Sequence, residues 1–117
     1  MRRFQIDTVA PGPPDEEALK ECADLDALLV TIAAPLRIAV KDGQMLGEAA
    51  YDLARDQERR KHIPRVRALH QVANAYAAIF RAREVASGIR CRESLAYRLK
   101  EARRETEMAR VVILGVR

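Results

Sequence analysis

Apolar residues recur every three or four positions along most of this chain, which is the spacing of one buried helix face. The pattern is clearest over residues 65–86, where seven apolar side chains form one continuous face: Val66, Leu69, Val72, Ala73, Tyr76, Ile79 and Phe80. Ser87 and Gly88 follow and supply a stop, since glycine accepts the left-handed conformation of a helix C-terminal cap. The sequence therefore predicts a long amphipathic helix over 65–86.

An earlier helix is predicted to begin at Asp15, which is a good N-cap and is followed by two glutamates that suit the positive end of a helix. Its apolar face comprises Ala18, Leu19, Cys22, Leu25, Leu29 and Ile32. Pro35 ends or kinks this helix, because its ring clashes with the carbonyl four residues back. Residues 36–40 alternate as in a short strand, but a kinked continuation of the helix is equally consistent and we slightly favour it.

Two more helices complete the pattern. One runs from about residue 44 to 61, with its inward side chains at Leu46, Ala49, Ala50, Leu53 and Ala54, and Pro64 then restarts the chain in a favourable first-turn position. The last begins near Cys91 or Arg92 and has a narrow apolar seam, close to coiled-coil width: Leu95, Leu99, Ala102, Thr106, Ala109 and Ile113. Residues 111–116 would be apolar on every face of a helix. They are therefore predicted to form either a short strand or a helix end that a partner subunit buries.

Composition favours packed helices. The 117 residues are the size of one domain, 49% of them are apolar, and aromatics make up only 4% with no tryptophan, so the core must be aliphatic. Prolines at 11, 13 and 14 forbid helix, and we prefer a mobile arm to an edge strand for the start of the chain. We predict an all-α antiparallel four-helix bundle over 15–117, preceded by a flexible N-terminal arm over 1–14.

Several classes of protein have little support. Cys22 and Cys91 are too few for a disulfide scaffold, and Cys22 lies on an apolar helix face, so a packed thiol is favoured over a nucleophile. The charged N-terminus does not resemble a signal peptide, no apolar run is long enough for a membrane span, and we expect a cytoplasmic protein. There is no phosphate-binding loop or metal motif, and His62 and His70 are poorly spaced for a metal pair. We therefore expect no metal, no cofactor and no enzymatic activity.

Charge is sorted by position. Residues 1–58 carry six Lys/Arg and twelve Asp/Glu, whereas residues 59–117 carry fifteen Lys/Arg and only five Asp/Glu, a split hidden by the overall charge of +4. Such asymmetry indicates an anionic partner for one half, or two halves that neutralise each other. The densest cluster of positive charge is Arg59, Arg60, Lys61, Arg65 and Arg67. The planar guanidinium of arginine can donate two parallel hydrogen bonds to the oxygens of a phosphate. Further support comes from positive strips on the last two helices: Arg81, Arg92, Arg103 and Arg110.

These nine residues are the candidate nucleic-acid-binding residues, although a solvated, salt-bridged helix surface would have the same composition. The sequence gives little support for stacking of bases on aromatic side chains. Tyr76 and Phe80 lie on an apolar helix face, so the exposure of only Tyr51 and Tyr97 is undecided, and Tyr97 is the candidate for exposure. The sequence thus favours recognition of the backbone or shape over reading of bases.

One stretch resembles a known family. Residues 67–77 read Arg-Ala-Leu-His-Gln-Val-Ala-Asn-Ala-Tyr-Ala, similar to the helix Arg-Ala-x-x-Ser-Ile-x-x-Asn-Ile-Ala of the four-helix-bundle proteins of ribosomal RNA intervening sequences. Relatives of that family include the accessory protein of diversity-generating retroelements, and residues 92–95 and 100–106 resemble its next helix. Gln71, Ala75 and Ile79 depart from its serine, asparagine and glycine, and extra residues precede the final helix. The resemblance implies an oligomeric, basic helical bundle that associates with RNA or with a nucleic-acid enzyme.

The functional prediction is a non-enzymatic, nucleic-acid-associated accessory or scaffold protein that uses its basic C-terminal half, with RNA favoured over DNA as the ligand and a nucleic-acid enzyme as the other possible partner. The alternative is a homo-oligomeric protein-interaction module in which the acidic half of one subunit meets the basic half of another.

Overall fold

The computed structural model describes residues 13–88 and 94–115. Four α-helices lie within these ranges, namely α1 (Glu16–Ala33), α2 (Leu46–Arg59), α3 (Ile63–Ala86) and α4 (Leu95–Leu114). A 3₁₀ turn (Ala34–Leu36) follows α1, and neither described range contains a β-strand. The predicted all-α bundle of four packed helices is confirmed. Residues 1–12 of the predicted arm, together with Cys91 and Arg92, lie outside the described residues.

Helix α1 is anchored at its first residue. The Asp15 carboxylate accepts a hydrogen bond from the Ala18 amide at 3.0 Å, as the N-cap prediction requires. The Asp15 amide itself donates to the carbonyl of Ala86 at 2.7 Å, so the start of α1 meets the end of α3. The two helices therefore run antiparallel.

The prediction of a kinked helical continuation over 36–40 is wrong. α1 ends at Ala33, the turn containing Pro35 is 3₁₀, and Arg37 takes a left-handed φ of 53° that redirects the chain. Residues 37–41 are irregular, so the alternative strand does not form either. The proline cannot donate to the α-helical ladder, and the left-handed residue turns the chain toward α2.

Helix α3 is the centre of the bundle and packs against the other three helices. It begins at Ile63 with Pro64 in its first turn, two residues earlier than predicted. Most of its predicted apolar face is buried, with Phe80 at the exposed edge. A second set of small side chains is buried as well: Ala68, Ala75, Ala78, Ala82 and Ala86. Because three helices surround α3, it needs buried residues on more than one face.

Helix α2 packs chiefly against α3. The predicted inward residues Ala49, Ala50 and Ala54 are buried, and the two leucines of that face are half-buried against the core. The two helices approach closely at Gly47, where an added Cβ would lie 2.8 Å from Cδ2 of Tyr76. The absence of a side chain at Gly47 is what allows the two helices to approach there.

Helix α4 runs antiparallel to α3 and is capped by Ser94, whose hydroxyl accepts from the Tyr97 amide. The predicted seam is confirmed, since Ala102, Thr106, Ala109 and Ile113 are buried. The Gln71 amide links α3 to α4 by donating to the carbonyl and to the carboxylate of Glu105, at 3.0 and 2.8 Å. The sequence is consistent with a strand or a helix end over residues 111–116, and in the structure α4 continues through Leu114.

The core is aliphatic, as the composition predicts; Leu29, Leu36, Leu69, Val72 and Ile79 are among its fully buried side chains. Cys22 is a buried thiol in this core, and burial raises its pKa above the ordinary value. Within the two described ranges, no helix has the length and apolar character needed to cross a membrane.

Candidate nucleic-acid interface

The densest predicted basic cluster lies where α2 turns into α3. Arg59 is the last residue of α2, Arg60 is its C-cap, and Lys61 has a left-handed φ of 58° just before α3 begins. Arg67 follows one turn inside α3 and is exposed, as the other three are. We refer to Arg59, Arg60, Lys61 and Arg67 as the basic turn.

The basic turn lies at the end of the bundle where three helices finish. The α3 residue Arg65 donates from its guanidinium to the carbonyl of Leu36, which places the end of α1 beside the start of α3. α4 runs antiparallel to α3, so its C-terminus reaches the same end. Helix C-termini carry partial negative charge, and basic side chains there stabilise them. Part of the positive charge thus has an architectural role.

The cations of the basic turn form few ion pairs with the described residues. Arg59, Lys61 and Arg67 form no ion pair with any residue that the structure describes. Arg60 pairs with Asp56 at 3.6 Å, and both side chains are at least half exposed. Exposed pairs of this kind contribute little to stability, so all four cations can turn toward an anionic ligand.

The other predicted residues are dispersed. Arg65 is half-buried and bound to Leu36, so it holds the fold together. Arg110 pairs with Glu107 at 3.2 Å. Arg81 is exposed but lies about 21 Å along α3 from Arg67, at 1.5 Å per residue. Arg92 lies outside the described residues. The nine predicted residues therefore do not form one surface.

Arg103 bridges α4 to α1. Its guanidinium forms two hydrogen bonds with the Glu21 carboxylate: Nη2 donates to Oε1 at 2.7 Å, and Nε donates to Oε2. The hydrogen bond from Arg103 lowers the pKa of Glu21, and the same contact raises the pKa of Arg103. One acidic residue of the first half thus meets a basic residue of the second half inside the same chain.

Sequence reasoning missed two cations near the basic turn. Arg55 lies one helical turn before Arg59 on α2, and Arg37 directly follows Leu36; both are exposed. The four-residue spacing of Arg55 and Arg59 was visible in the sequence. Arg37 could not have been found from the sequence, because its position depends on the packing of α1 against α3.

An aromatic pair lies about one helical turn from Arg55 on α2 and from Arg67 on α3. The Tyr51 ring of α2 and the His70 ring of α3 have their centroids 5.9 Å apart and are inclined by 31°. Tyr51 is 53% exposed, and His70 is also exposed. The pair forms because α2 and α3 run antiparallel in close contact, which the sequence alone does not specify.

In the described part of the chain, no group of three or more His, Cys, Asp or Glu side chains is placed to hold a metal ion. Comparison with known proteins gives no match to a family model, to a curated protein or to a solved structure. The fold and the basic turn therefore define a class only: a small all-α bundle with a cationic end.

Proposed function

We propose that this protein is a non-enzymatic accessory protein that binds the phosphate backbone of RNA through the basic turn. The observation that carries the proposal is the concentration of four exposed cations at one end of the bundle, three of which form no ion pair with a described residue. They are held by two helices joined by a very short turn, so their backbone positions are fixed before a ligand arrives. Fixed positions lower the entropy cost of binding.

The number of exposed cations in the basic turn determines how strongly binding should depend on salt concentration. Arginine presents a planar fork to phosphate oxygens, and the exposed side chains lose little hydration when they bind a solvated backbone. Four contacts to a single strand give a slope of log affinity against log salt of about −3, and to a duplex about −4. The preference for RNA over DNA is supported by the resemblance of residues 67–77 to the helix of an RNA-associated family.

The test is binding of labelled RNA and DNA oligonucleotides by fluorescence anisotropy at two or more salt concentrations. A variant with Arg59→Gln, Lys61→Gln and Arg67→Gln should bind more weakly and should flatten the salt slope by about 2 to 3. The matched control is Lys20→Gln, Lys100→Gln and Arg104→Gln, which removes the same charge from exposed residues elsewhere. Equal losses in both variants, or no binding by the wild type at low salt, would refute the proposal.

A second candidate function is a homo-oligomeric interaction module, and exposed apolar residues favour it. Leu28 lies two turns after Glu21 on α1, and Leu114 lies eleven residues after Arg103 on α4, so both lie on the side where α1 and α4 meet. Leu28 is 40% exposed and Leu114 is 56% exposed. A second copy could cover this edge through apolar contact, whereas Glu21 and Arg103 already neutralise each other within one chain.

Light scattering at low and high salt tests this candidate, using the wild type and a Leu28→Ser, Leu114→Ser variant that changes only exposed residues of the edge. Association through the apolar edge predicts an oligomer that the double substitution dissociates and that high salt does not. A wild-type protein that is monomeric at all salt concentrations would exclude the module.

A further inference from the structure

The Tyr51–His70 pair has the properties of a base-stacking surface. Tyr51 is 53% exposed and His70 is exposed, and their ring centroids are 5.9 Å apart, so the two rings border the same solvent-exposed surface. Neither ring is needed to fill the core, which is aliphatic. Exposed aromatic rings beside cations are the usual means of binding unpaired bases, because every base has a face that can stack.

Cations continue from this pair to the basic turn. Arg67 lies one turn before His70 on α3, and Arg55 lies one turn after Tyr51 on α2, on the way to Arg59. Arg55 and Arg67 are exposed and form no ion pair with the described residues. A strand whose base lay on the rings would therefore have its adjoining phosphates beside two arginines.

The other exposed aromatic residues differ from Tyr51. The guanidinium of Arg98 lies 5.6 Å from the ring centroid of Tyr97, and the guanidinium of Arg83 lies 5.3 Å from that of Phe80. Those rings already have a cation on one face and no second ring beside them among the described residues. Tyr51 instead is paired with a ring and neighbours the basic turn.

We propose that Tyr51 and His70 stack an unpaired base, and that the ligand of this protein is single-stranded RNA rather than duplex. The inference rests on the proposed function and names the substrate class of the same surface. In a duplex, each base is stacked between its neighbours and cannot reach the rings, so a duplex could engage only the cations.

The test compares an oligouridylate of about twelve nucleotides, within the usual range of site sizes, with an RNA duplex of the same length. Tyr51→Leu should weaken single-strand binding by about 5- to 150-fold, the change that corresponds to about 1–3 kcal/mol per stacked base. Tyr51→Phe should bind like the wild type, since it keeps the ring. Tyr97→Leu is the matched control, because it removes a tyrosine of similar exposure, 57%, and should leave binding unchanged.

Tyrosine emission gives a second readout, because the chain contains three tyrosines and no tryptophan. Stacking on Tyr51 should quench this emission when oligouridylate binds, and Tyr51→Leu should abolish that part of the quenching. Circular dichroism of each variant verifies that the helices remain, as expected for an exposed position.

The outcomes separate this inference from the proposed function. Salt-dependent RNA binding that Tyr51→Leu leaves unchanged, or that Tyr97→Leu weakens equally, overturns the stacking inference and leaves the basic turn intact. No RNA binding by the wild type overturns both.

Discussion

The close approach of α2 to α3 at Gly47 leads to a sharp prediction for Gly47→Ala. An added Cβ would lie 2.8 Å from Cδ2 of Tyr76 and 3.2 Å from both Cβ and Cγ. Comfortable carbon–carbon contacts are about 3.5–4.0 Å, so the ring atom would be too close by about 0.7 Å. Rotation of the ring cannot relieve the contact with the Tyr76 Cβ, which is fixed to the backbone of α3. The helices must therefore move apart.

The expected net effect is a loss of stability. Overpacking of this kind costs about 1–3 kcal/mol. Alanine is better than glycine in a helix interior by up to about 1 kcal/mol, and by less here because Gly47 is the second residue of α2. The variant should thus be destabilised by about 1 kcal/mol, and its melting temperature should fall by about 4 °C for a chain of this size.

Thermal unfolding followed by circular dichroism measures this effect, and Gly115→Ala is the matched control. At Gly115 the nearest atom to an added Cβ is the Val112 carbonyl oxygen at 3.5 Å, an ordinary contact, and φ is −80°. That substitution should be neutral or slightly stabilising. In a Tyr76→Ala background, which removes Cγ and Cδ2 but keeps the Cβ, Gly47→Ala should destabilise the protein less. A rise in melting temperature for Gly47→Ala alone would refute the close contact.

Three more predictions concern the core and the ion pair between α1 and α4. Leu29→Ala should cost about 3–5 kcal/mol in a chemical denaturation curve because Leu29 is fully buried, whereas Leu28→Ala, at a residue 40% exposed, should cost less than half as much in a monomer. Equal losses would contradict the assigned helix face, and a concentration-dependent loss for Leu28→Ala would indicate a buried apolar edge. Arg103 lowers the pKa of Glu21, so the pair stabilises the fold above the ordinary glutamate pKa of about 4.3 and less as the pH falls below it. The stability difference between wild type and Glu21→Gln in urea titrations should therefore shrink in acid, and a difference that grows in acid would contradict the pair. In a Cys91→Ser background, Cys22 should react with a disulfide reagent only as fast as the protein opens, because the fully buried thiol is out of reach of the reagent in the folded protein. Burial also raises the pKa of the thiol, which lowers the fraction of reactive thiolate. Rapid labelling under native conditions would show that the thiol is accessible.

The helices were predictable because their apolar periodicity and their caps are local signals. Asp15 precedes a periodic segment and Pro35 follows it, and both act through backbone hydrogen bonds of neighbouring residues. The central place of α3 was not predictable. Its second buried face consists of residues such as Ala75 and Ala78, and alanine occurs on buried and exposed helix faces alike.

The candidate surface was predictable only in part. The sequence identifies cations, but it does not show which of them have partners elsewhere in the chain. Arg65 binds the Leu36 carbonyl and Arg103 binds Glu21, 29 and 82 residues away. The Tyr51–His70 pair depends on the register of α2 against α3, which close approach at Gly47 sets. Contacts between residues so far apart in the sequence form only when the helices pack together.

The packing of α2 chiefly against α3 has a consequence for local stability. A helix held mainly by one neighbour is the element expected to open first, and its amide protons should exchange faster with solvent than those of α3. α2 also carries Tyr51, Arg55 and Arg59, so a ligand that bridges α2 and α3 would bind the closed form alone. Binding should then slow exchange throughout α2 by mass action, including residues that touch no ligand.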